Sequence, residues 1–512
     1  MLPAVDDLSG SISQFMATHF SNDWRIRSLF VIAVLLYATV FQGVRPIYSP
    51  DEGRYTDVAL GMIDDGDWLR PMLHPDFEHW SKPPITYWAI ASSVELFGRN
   101  EFAARLPNSL AFAATIFLLI RIGRKLVPAQ YWLPALIYAT FIFPLGAANI
   151  VTTDTLLALC ETAQLAAFVG LWWREDERVE RRMRLALWLA AAIAFLTKGP
   201  PGLLVLGGCL VFAVIDQGWR GLRRTCNWDG LLLFALVGGS WYGAAVFRQP
   251  DVLRYFFVEE VVNRVASDKM HRNAEWYGGF KIYIPTLVIG TLPWLPFAIA
   301  RIVQRGWNTT RADWKKSSAI KLLGLCIVLP LIVFMISRSR LPLYVLPLFA
   351  PLAVLCGYLL APIDLSTTPR RAALALWCLV LIGGRIFFAH ADHQADDRLL
   401  SKALMSELPV KPDEVAFVDT APRYGVRFYL GSTIERLTLP GHSEKESSES
   451  LIEEMTTDEG CRVLVANLIT VGELQKSLDS IPVHYRRLGD EDGYAVIIDL
   501  SHTCPAFSLP PA

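Results

Sequence analysis

Over its first 390 positions the chain alternates long apolar runs with short polar links. The runs fall at about 28–44, 103–122, 131–148, 154–173, 185–197, 201–216, 231–247, 281–303, 319–337, 341–361 and 371–389. Most have the length a helix needs to cross a bilayer, and together they predict about eleven crossings. The links alternate in basic content. Arg121, Arg124 and Lys125, then 174–184, then Arg220, Arg223 and Arg224, then 305–316, then Arg370 and Arg371 all fall on one side when each run crosses once. Lys/Arg-rich links stay in the cytoplasm, and Arg25 and Arg27 hold the N-terminus there. No small-residue cleavage site follows the first run, so it reads as a retained span. The stretch 185–215 is interrupted by Lys198-Gly199-Pro200-Pro201. Basic links on both sides of it require an even number of crossings, which predicts two spans joined by an outer hairpin. The apolar stretch 83–97 would invert every later link if it crossed, so it is expected to lie flat at the outer interface.

This parity gives the outer face 45–102, 149–153, the 198–201 hairpin, 248–280, 338–340 and everything after about 390. The last part changes character. Runs beginning Glu414-Val-Ala-Phe-Val, Val426-Arg-Phe-Tyr-Leu, Arg462-Val-Leu-Val-Ala and Tyr494-Ala-Val-Ile-Ile read as strands, and helical patterns lie near 395–408 and 471–479. The expected fold is therefore an α-helical polytopic membrane protein, with about 11 transmembrane helices plus interfacial helices over 1–390 and a small soluble α/β domain over 391–512. That domain carries 11 Lys+Arg against 21 Asp+Glu, a net of −10, in keeping with a non-cytoplasmic side.

Composition agrees. The chain is 53% hydrophobic and 19% charged, where a soluble chain would have about 25% charged residues. A net charge of −1 argues against a nucleic-acid binder. The eight Cys form no zinc-type spacing. Cys461 and Cys504 fall in the outer domain, where an oxidising compartment would let them pair.

The polar residues of the outer loops converge on one side of the membrane. In Ser49-Pro50-Asp51-Glu52-Gly53-Arg54-Tyr55 a short amphipathic helix begins, its apolar positions Tyr55, Val58, Ala59, Met62 and Ile63 at helical spacing. Ser49 and Glu52 match a capping box with Pro50 at the first helical position, which is the plain reading of Glu52. A cap does not need the second acid, Asp51. Lys82, in Trp80-Ser81-Lys82-Pro83-Pro84, would sit at head-group level, where the plain reading is a snorkelling lysine. Asp154 opens the fourth run and could be a simple N-cap. Lys198, Arg338 and Arg340 are basic residues on the outside, against the usual trend, and call for an anion. The loop 248–280 adds Glu259, Glu260, Asn263, Arg264, His271 and Arg272. Each of these taken singly reads as a solvated side chain, but interfacial charges gathered on one face mark a functional site. Their chemistry suits joining an anionic lipid head to a polar acceptor: Lys and Arg neutralise a departing phosphate, and a carboxylate orients or deprotonates the attacking oxygen. No Walker motif and no GxGxxG after a strand is present, so activation must arrive with the substrate. His390, Asp392, His393 and Asp396 have ligand-like spacing, for which an ordinary interfacial cluster is the simpler reading.

The order of these motifs resembles the C-type membrane glycosyltransferases, in the bacterial branch similar to protein O-mannosyltransferases and the lipid A 4-amino-4-deoxy-L-arabinose transferase. The residues that carry the resemblance are Asp51-Glu52 with Arg54-Tyr55, Gly66-Asp67-Trp68, Lys82-Pro83-Pro84 with Tyr87-Trp88, Glu101 through Pro107, Thr153-Asp154, Leu196-Thr197-Lys198-Gly199-Pro200, Trp276-Tyr277 with Leu292-Pro293-Trp294, and Arg340-Leu341-Pro342. The resemblance implies a polyprenyl-phosphate (undecaprenyl-phosphate) sugar donor, a lipid A or other envelope acceptor, and inverting transfer on the periplasmic face of a bacterial inner membrane. Asp51 would be the catalytic carboxylate in a catalytic first outer loop 45–102, with Asp154 as the second acid of the cavity and Glu52 beside the pair. Lys82 would hold the lipid phosphate with Arg264 or Arg272, and Arg340 next; Arg54, Tyr55, Tyr87 and Lys198 complete the substrate-binding set. The related transferases tend to carry an acid immediately before the Lys-Pro-Pro, which can help bind a divalent metal with a histidine of a later loop. Here that position is Ser81, so His271 is left as a metal candidate without its partner.

A transporter or flippase of a lipid-linked anion would use the same basic residues as a transit path, but such proteins place charges and breaks near the midplane, often in two repeated halves. Neither feature is visible in this sequence. The same transferase chemistry acting on protein hydroxyls is a further alternative. A sensor with an outer ligand-binding domain would leave the Asp-Glu and Lys-Pro-Pro elements without a task.

Overall fold

A computed structural model describes residues 24–74, 77–174, 176–257, 273–306, 316–365, 367–391, 393, 395–408, 411–442, 448–455, 461–481, 483–491 and 494–499. Contacts divide the chain into two compact units. One comprises Met1–Gln42, Trp80–Thr86 and Arg105–Ala389; the other comprises Gly43–His79, Tyr87–Ala104 and His390–Ala512.

The first unit is helical. Each of the eleven apolar runs contains helix, but the expected number of crossings is reduced when length and apolarity are both required. Among the described residues six helices qualify, Glu101–Leu126, Asp154–Trp172, Pro200–Thr225, Ser318–Ile336, Pro342–Leu360 and Thr368–His390, or up to eight if two bent pairs each count as one span. Three runs fall short for local reasons. Trp24–Thr39 has 16 residues, the run at 131–148 breaks into Leu133–Ala139 and Ile142–Ala147, and Glu177–Lys198 opens on a charged stretch. The run at 281–303 is not one straight helix. It bends by 86° between Gly278–Gly290 and Trp294–Arg305, where Pro293 lacks the N–H that would continue the ladder. The interruption at 198–201 does separate two helices: the chain turns at Gly199 with φ +69° and re-enters at Leu204–Thr225. Gly202 passes so close to the preceding helix that a Cβ there would lie 2.5 Å from the Ala194 carbonyl oxygen.

Burial in this unit is what a lipid solvent requires. Thr368–His390 is apolar, yet only 6% of its apolar window is buried in the protein, and Leu376, Leu379, Phe387 and Phe388 are exposed. An apolar helix left uncovered by protein is stable only in hydrocarbon. The interior packs through small residues and rings: Gly208 backs on Cys326, and Phe141 and Phe143 meet Phe349.

The second unit contains a six-stranded sheet. Glu414–Val418 lies between Thr433–Thr438 and Arg462–Asn467, all parallel; Tyr494–Asp499 and then Tyr485–Glu491 add antiparallel strands, and Glu449–Ser450 forms the opposite edge. Three of the four expected strands are present. The fourth, at 426–430, is instead the helix Gly425–Leu430, ended by Gly431 at φ +72°. Topology overrides its alternating pattern: the parallel strands on either side of it can be joined only by a crossover, which is usually helical. The helices expected near 395–408 and 471–479 are Asp397–Glu407 and Val471–Asp479. The unit does not begin at 390. It also takes in Gly43–His79, with helix Asp51–Asp65 and the hairpin Met72–His74/Phe77–Glu78, and Tyr87–Ala104.

Candidate functional site

In the second unit, helix Asp51–Asp65 starts at Asp51, with Pro50 one residue earlier as N-cap and no side-chain capping bond. The expected capping box is therefore only half formed. Ser49 Oγ donates instead to Asp397 Oδ2 at 2.7 Å. Glu52 does reach back, accepting from Tyr48 N at 3.0 Å and from Arg45 Nη2 at 2.6 Å. With Glu52 buried at 2% exposure and held by these two donors, it braces the turn. Asp51 differs: its side chain is 48% exposed and takes Arg54 Nη2 at 2.6 Å.

The remaining first-loop motifs gather around this helix. The Tyr55 and Tyr87 rings lie 5.8 Å apart, both buried, and Trp88 Nε1 donates to the Trp68 carbonyl at 2.6 Å. Glu101 accepts from Arg398 Nη2 at 2.5 Å and Tyr429 Oη at 3.0 Å. Sequence reasoning missed Asp57, Arg427, Asp397 and Arg423. Asp57 is fully buried, with Arg427 Nη1 3.5 Å from its Oδ1, and Arg427 Nη2 lies 2.9 Å from Asp64 Oδ2. Burial pushes the Asp57 carboxyl up to about 7, against the lowering by Arg427. Burial likewise raises Asp397 to about 6, opposed by Arg423 and Ser49. The only sequence signal for these was an acid at 57 next to the apolar face of a helix, which has no meaning until its cation is known. The cluster after the last span resolves into local structure. Asp396 caps Asp397–Glu407, and the His393 ring stacks on Tyr48 at 4.7 Å. Asp392 lies outside the described residues.

In the first unit a second group of the motif residues comes together. Thr86 Oγ1 donates to Thr153 Oγ1 at 2.9 Å, and Thr153 Oγ1 to the Thr197 carbonyl at 3.0 Å, which ties the Lys-Pro-Pro segment to the start of the Asp154 helix and the end of the Lys198 helix. Asp154 is no simple N-cap. It is ion-paired with Lys198, both side chains nearly buried, and the Lys198 ammonium also lies 4.3 Å from the Tyr344 ring centroid. Lys82 Nζ donates to the Ser81 carbonyl at 2.7 Å. Trp80 packs on Trp241 and Phe256, just ahead of the segment carrying Arg264, His271 and Arg272. Those three, with Glu259, Glu260 and Asn263, lie outside the described residues. Arg340 is buried and spends its guanidinium on backbone: Nη1 donates to the Asn273 and Glu275 carbonyls at 2.7 and 2.6 Å, and Nη2 to Met335 at 3.1 Å.

Comparison with known proteins agrees with the motif order. Residues 81–242 match the dolichyl-phosphate-mannose-protein mannosyltransferase family. The chain is 31% identical over 358 residues to undecaprenyl phosphate-alpha-4-amino-4-deoxy-L-arabinose arabinosyl transferase 2 of Pseudomonas fluorescens, covering 67% of this chain and 60% of that one. To the corresponding transferase of Aeromonas salmonicida it is 32% identical over 316 residues, 61% of this chain and 55% of the relative. The chain thus matches little more than half the length of these relatives. ArnT from Cupriavidus metallidurans bound to undecaprenyl phosphate superposes with a TM-score of 0.71 at 19% identity, covering 92% of this chain and 97% of that one. The apo oligosaccharyltransferase of Archaeoglobus fulgidus gives 0.50 at 12%, covering 81% and 64%. The chain has the fold of ArnT, and the resemblance read from the motifs holds.

Proposed function

We propose that the chain is an inverting glycosyltransferase that moves a sugar from undecaprenyl phosphate, or a similar polyprenyl phosphate, to lipid A or another envelope acceptor. In this reading the basic links face the cytoplasm of a bacterial inner membrane, the apolar runs make about eleven crossings, and 391–512 is periplasmic. Asp51 supports it most. It is the half-exposed acid of a helix N-terminus, paired with Arg54, while its neighbour Glu52 is consumed by Arg45 and the Tyr48 N–H.

The acceptor oxygen attacks the anomeric carbon from the side opposite the lipid phosphate. The new carbon–oxygen bond forms as the bond to the phosphate oxygen breaks, and the bonding pair leaves on the polyprenyl phosphate. If the acceptor is a hydroxyl, its proton passes to Asp51 as general base. If it is a phosphate, it arrives ionised and Asp51 only orients it. Lys82, with Arg264 or Arg272, neutralises the departing phosphate. Arg54 pairs with Asp51, and Tyr55 and Tyr87, both buried, act through the packing of the helix that carries it. Lys198, already matched by Asp154, acts through that pair, and Arg340 acts through the backbone it holds. At the Lys-Pro-Pro segment Ser81 supplies a hydroxyl where the related transferases tend to carry an acid, and none of these steps is routed through a divalent metal.

The match of 81–242 to protein mannosyltransferases favours one second reading, the same chemistry on protein hydroxyls. Membranes given labelled polyprenyl-phosphate sugars separate the two by where label accumulates. Transfer at the wild-type rate in Asp51→Ala and Lys82→Ala would remove the site assignment.

A further inference from the structure

The helix that carries Asp51 is locked to the α/β part of its own unit at three levels. Ahead of its first turn, Ser49 N donates to the Ala395 carbonyl at 3.1 Å and Asp397 N to the Ile47 carbonyl at 3.2 Å, with an antiparallel bridge between Tyr48 and Asp396. Ser49 Oγ donates to Asp397 Oδ2 at 2.7 Å, and Asp397 Oδ1 accepts from Arg423 Nε at 2.8 Å, with both of these side chains buried. Along the first turn, Gly53 lies against Gly425 so closely that a Cβ on Gly53 would sit 2.5 Å from Gly425 N. Farther along the helix, Arg427 bridges buried Asp57 and exposed Asp64.

Surface ion pairs scattered over a helix would only add stability. The Asp397–Arg423 pair and Asp57 are buried; the contacts come from two short stretches of the α/β segment, 395–397 and 423–427, and bracket the residue two positions beyond Ser49. We propose that Asp397 and Arg427 are positioning residues for Asp51: the α/β segment sets where the carboxylate sits relative to the sugar, and transfer depends on that setting. The inference rests on Asp51 being the acid of the site. A displacement of the reacting group by about 1 Å can cost roughly a hundredfold in rate, so loosening the lock should act on kcat. Lys82, which is assigned the donor phosphate, lies outside this unit, so donor KM should hold.

The test uses the full chain in nanodiscs, with labelled undecaprenyl-phosphate sugar and kcat expressed per donor-binding site, so that loss of folded protein does not count as loss of rate. Arg427→Ala and Asp397→Ala should each lower kcat per site at least tenfold with donor KM within about threefold. Arg427→Lys should recover part of the loss, and Arg427→Ala combined with Asp51→Ala should be no slower than Asp51→Ala alone. Ser49→Ala, which deletes one hydrogen bond, should show the same kcat-only effect at smaller size and serves if the larger changes prevent folding. A kcat per site within twofold of wild type in every variant that folds would overturn the positioning role. If Asp51→Ala itself transfers at the wild-type rate, the assignment of Asp51 fails instead.

Discussion

Lys198 and Asp154 form an ion pair with side chains 6% and 7% exposed, at the point where one helix ends at the Gly199 turn and another begins after Thr153. Each charge is tolerable there because of the other. Removing one partner from a buried pair costs about 3–5 kcal/mol, whereas replacing both with well-packed apolar groups is often neutral. Lys198→Ala should therefore lower the thermal midpoint more than Lys198→Met combined with Asp154→Leu. Equal losses in a detergent unfolding series would mean that the pair is not buried as described.

The Asp51-Glu52 neighbours should separate by the kind of damage done. Asp51→Asn is expected to lower kcat with a hydroxyl acceptor by about 10²–10⁴, the usual worth of a general base, and to cost less than about 1 kcal/mol of stability. Glu52→Gln weakens a charge-assisted bond to Arg45 at a buried site and should cost about 1–3 kcal/mol of stability. Parallel measurement of single-turnover rates and unfolding midpoints checks both halves.

Arg340 provides a control for basic residues that look like phosphate ligands. Its three carbonyl contacts need the guanidinium fork, which an ammonium cannot reproduce. Arg340→Lys should destabilise the first unit by about 1–3 kcal/mol while donor KM per folded molecule stays within twofold. Lys82→Ala should raise donor KM at least tenfold. A large KM change in Arg340→Lys would return Arg340 to the phosphate site.

These contrasts show what the chain discloses before folding. The length of the apolar stretches marked the helical runs because it is imposed by the solvent, which acts on every residue of a run alike. The motif residues Asp51, Lys82 and Asp154 stood out because their charge is costly where the pattern places it. What stayed hidden were partners. Whether Asp154 is a cap or half of an ion pair depends on Lys198, 44 residues away, and Asp57 acquires meaning only from Arg427, 370 residues away. The helix at 425–430 was misread as a strand for the same reason, since its state is decided by the parallel strands it joins.

The buried carboxylates of the sheet give a pH dependence with a definite sign. Glu435 is pushed up to about 9 by burial and by Glu414 and Glu454 beside it, from an ordinary 4.5; these three carboxylates lie within 4.8 Å of one another. Arg462 pairs with Glu414 and Glu454, which leaves Glu435 to be accommodated with its proton on. Below about pH 4.5 the group is protonated folded and unfolded alike, and contributes no slope. Between there and about 9 the folded chain keeps a proton that the unfolded chain has lost, so stability falls as pH rises. Glu435→Gln, which is neutral at every pH, should match wild type near pH 4 and exceed it by about 1 kcal/mol or more at pH 8. Thermal midpoints of the full chain across this range decide it: a variant no more stable than wild type at pH 8 would mean that Glu435 is ionised in the folded protein and held by Arg462 after all.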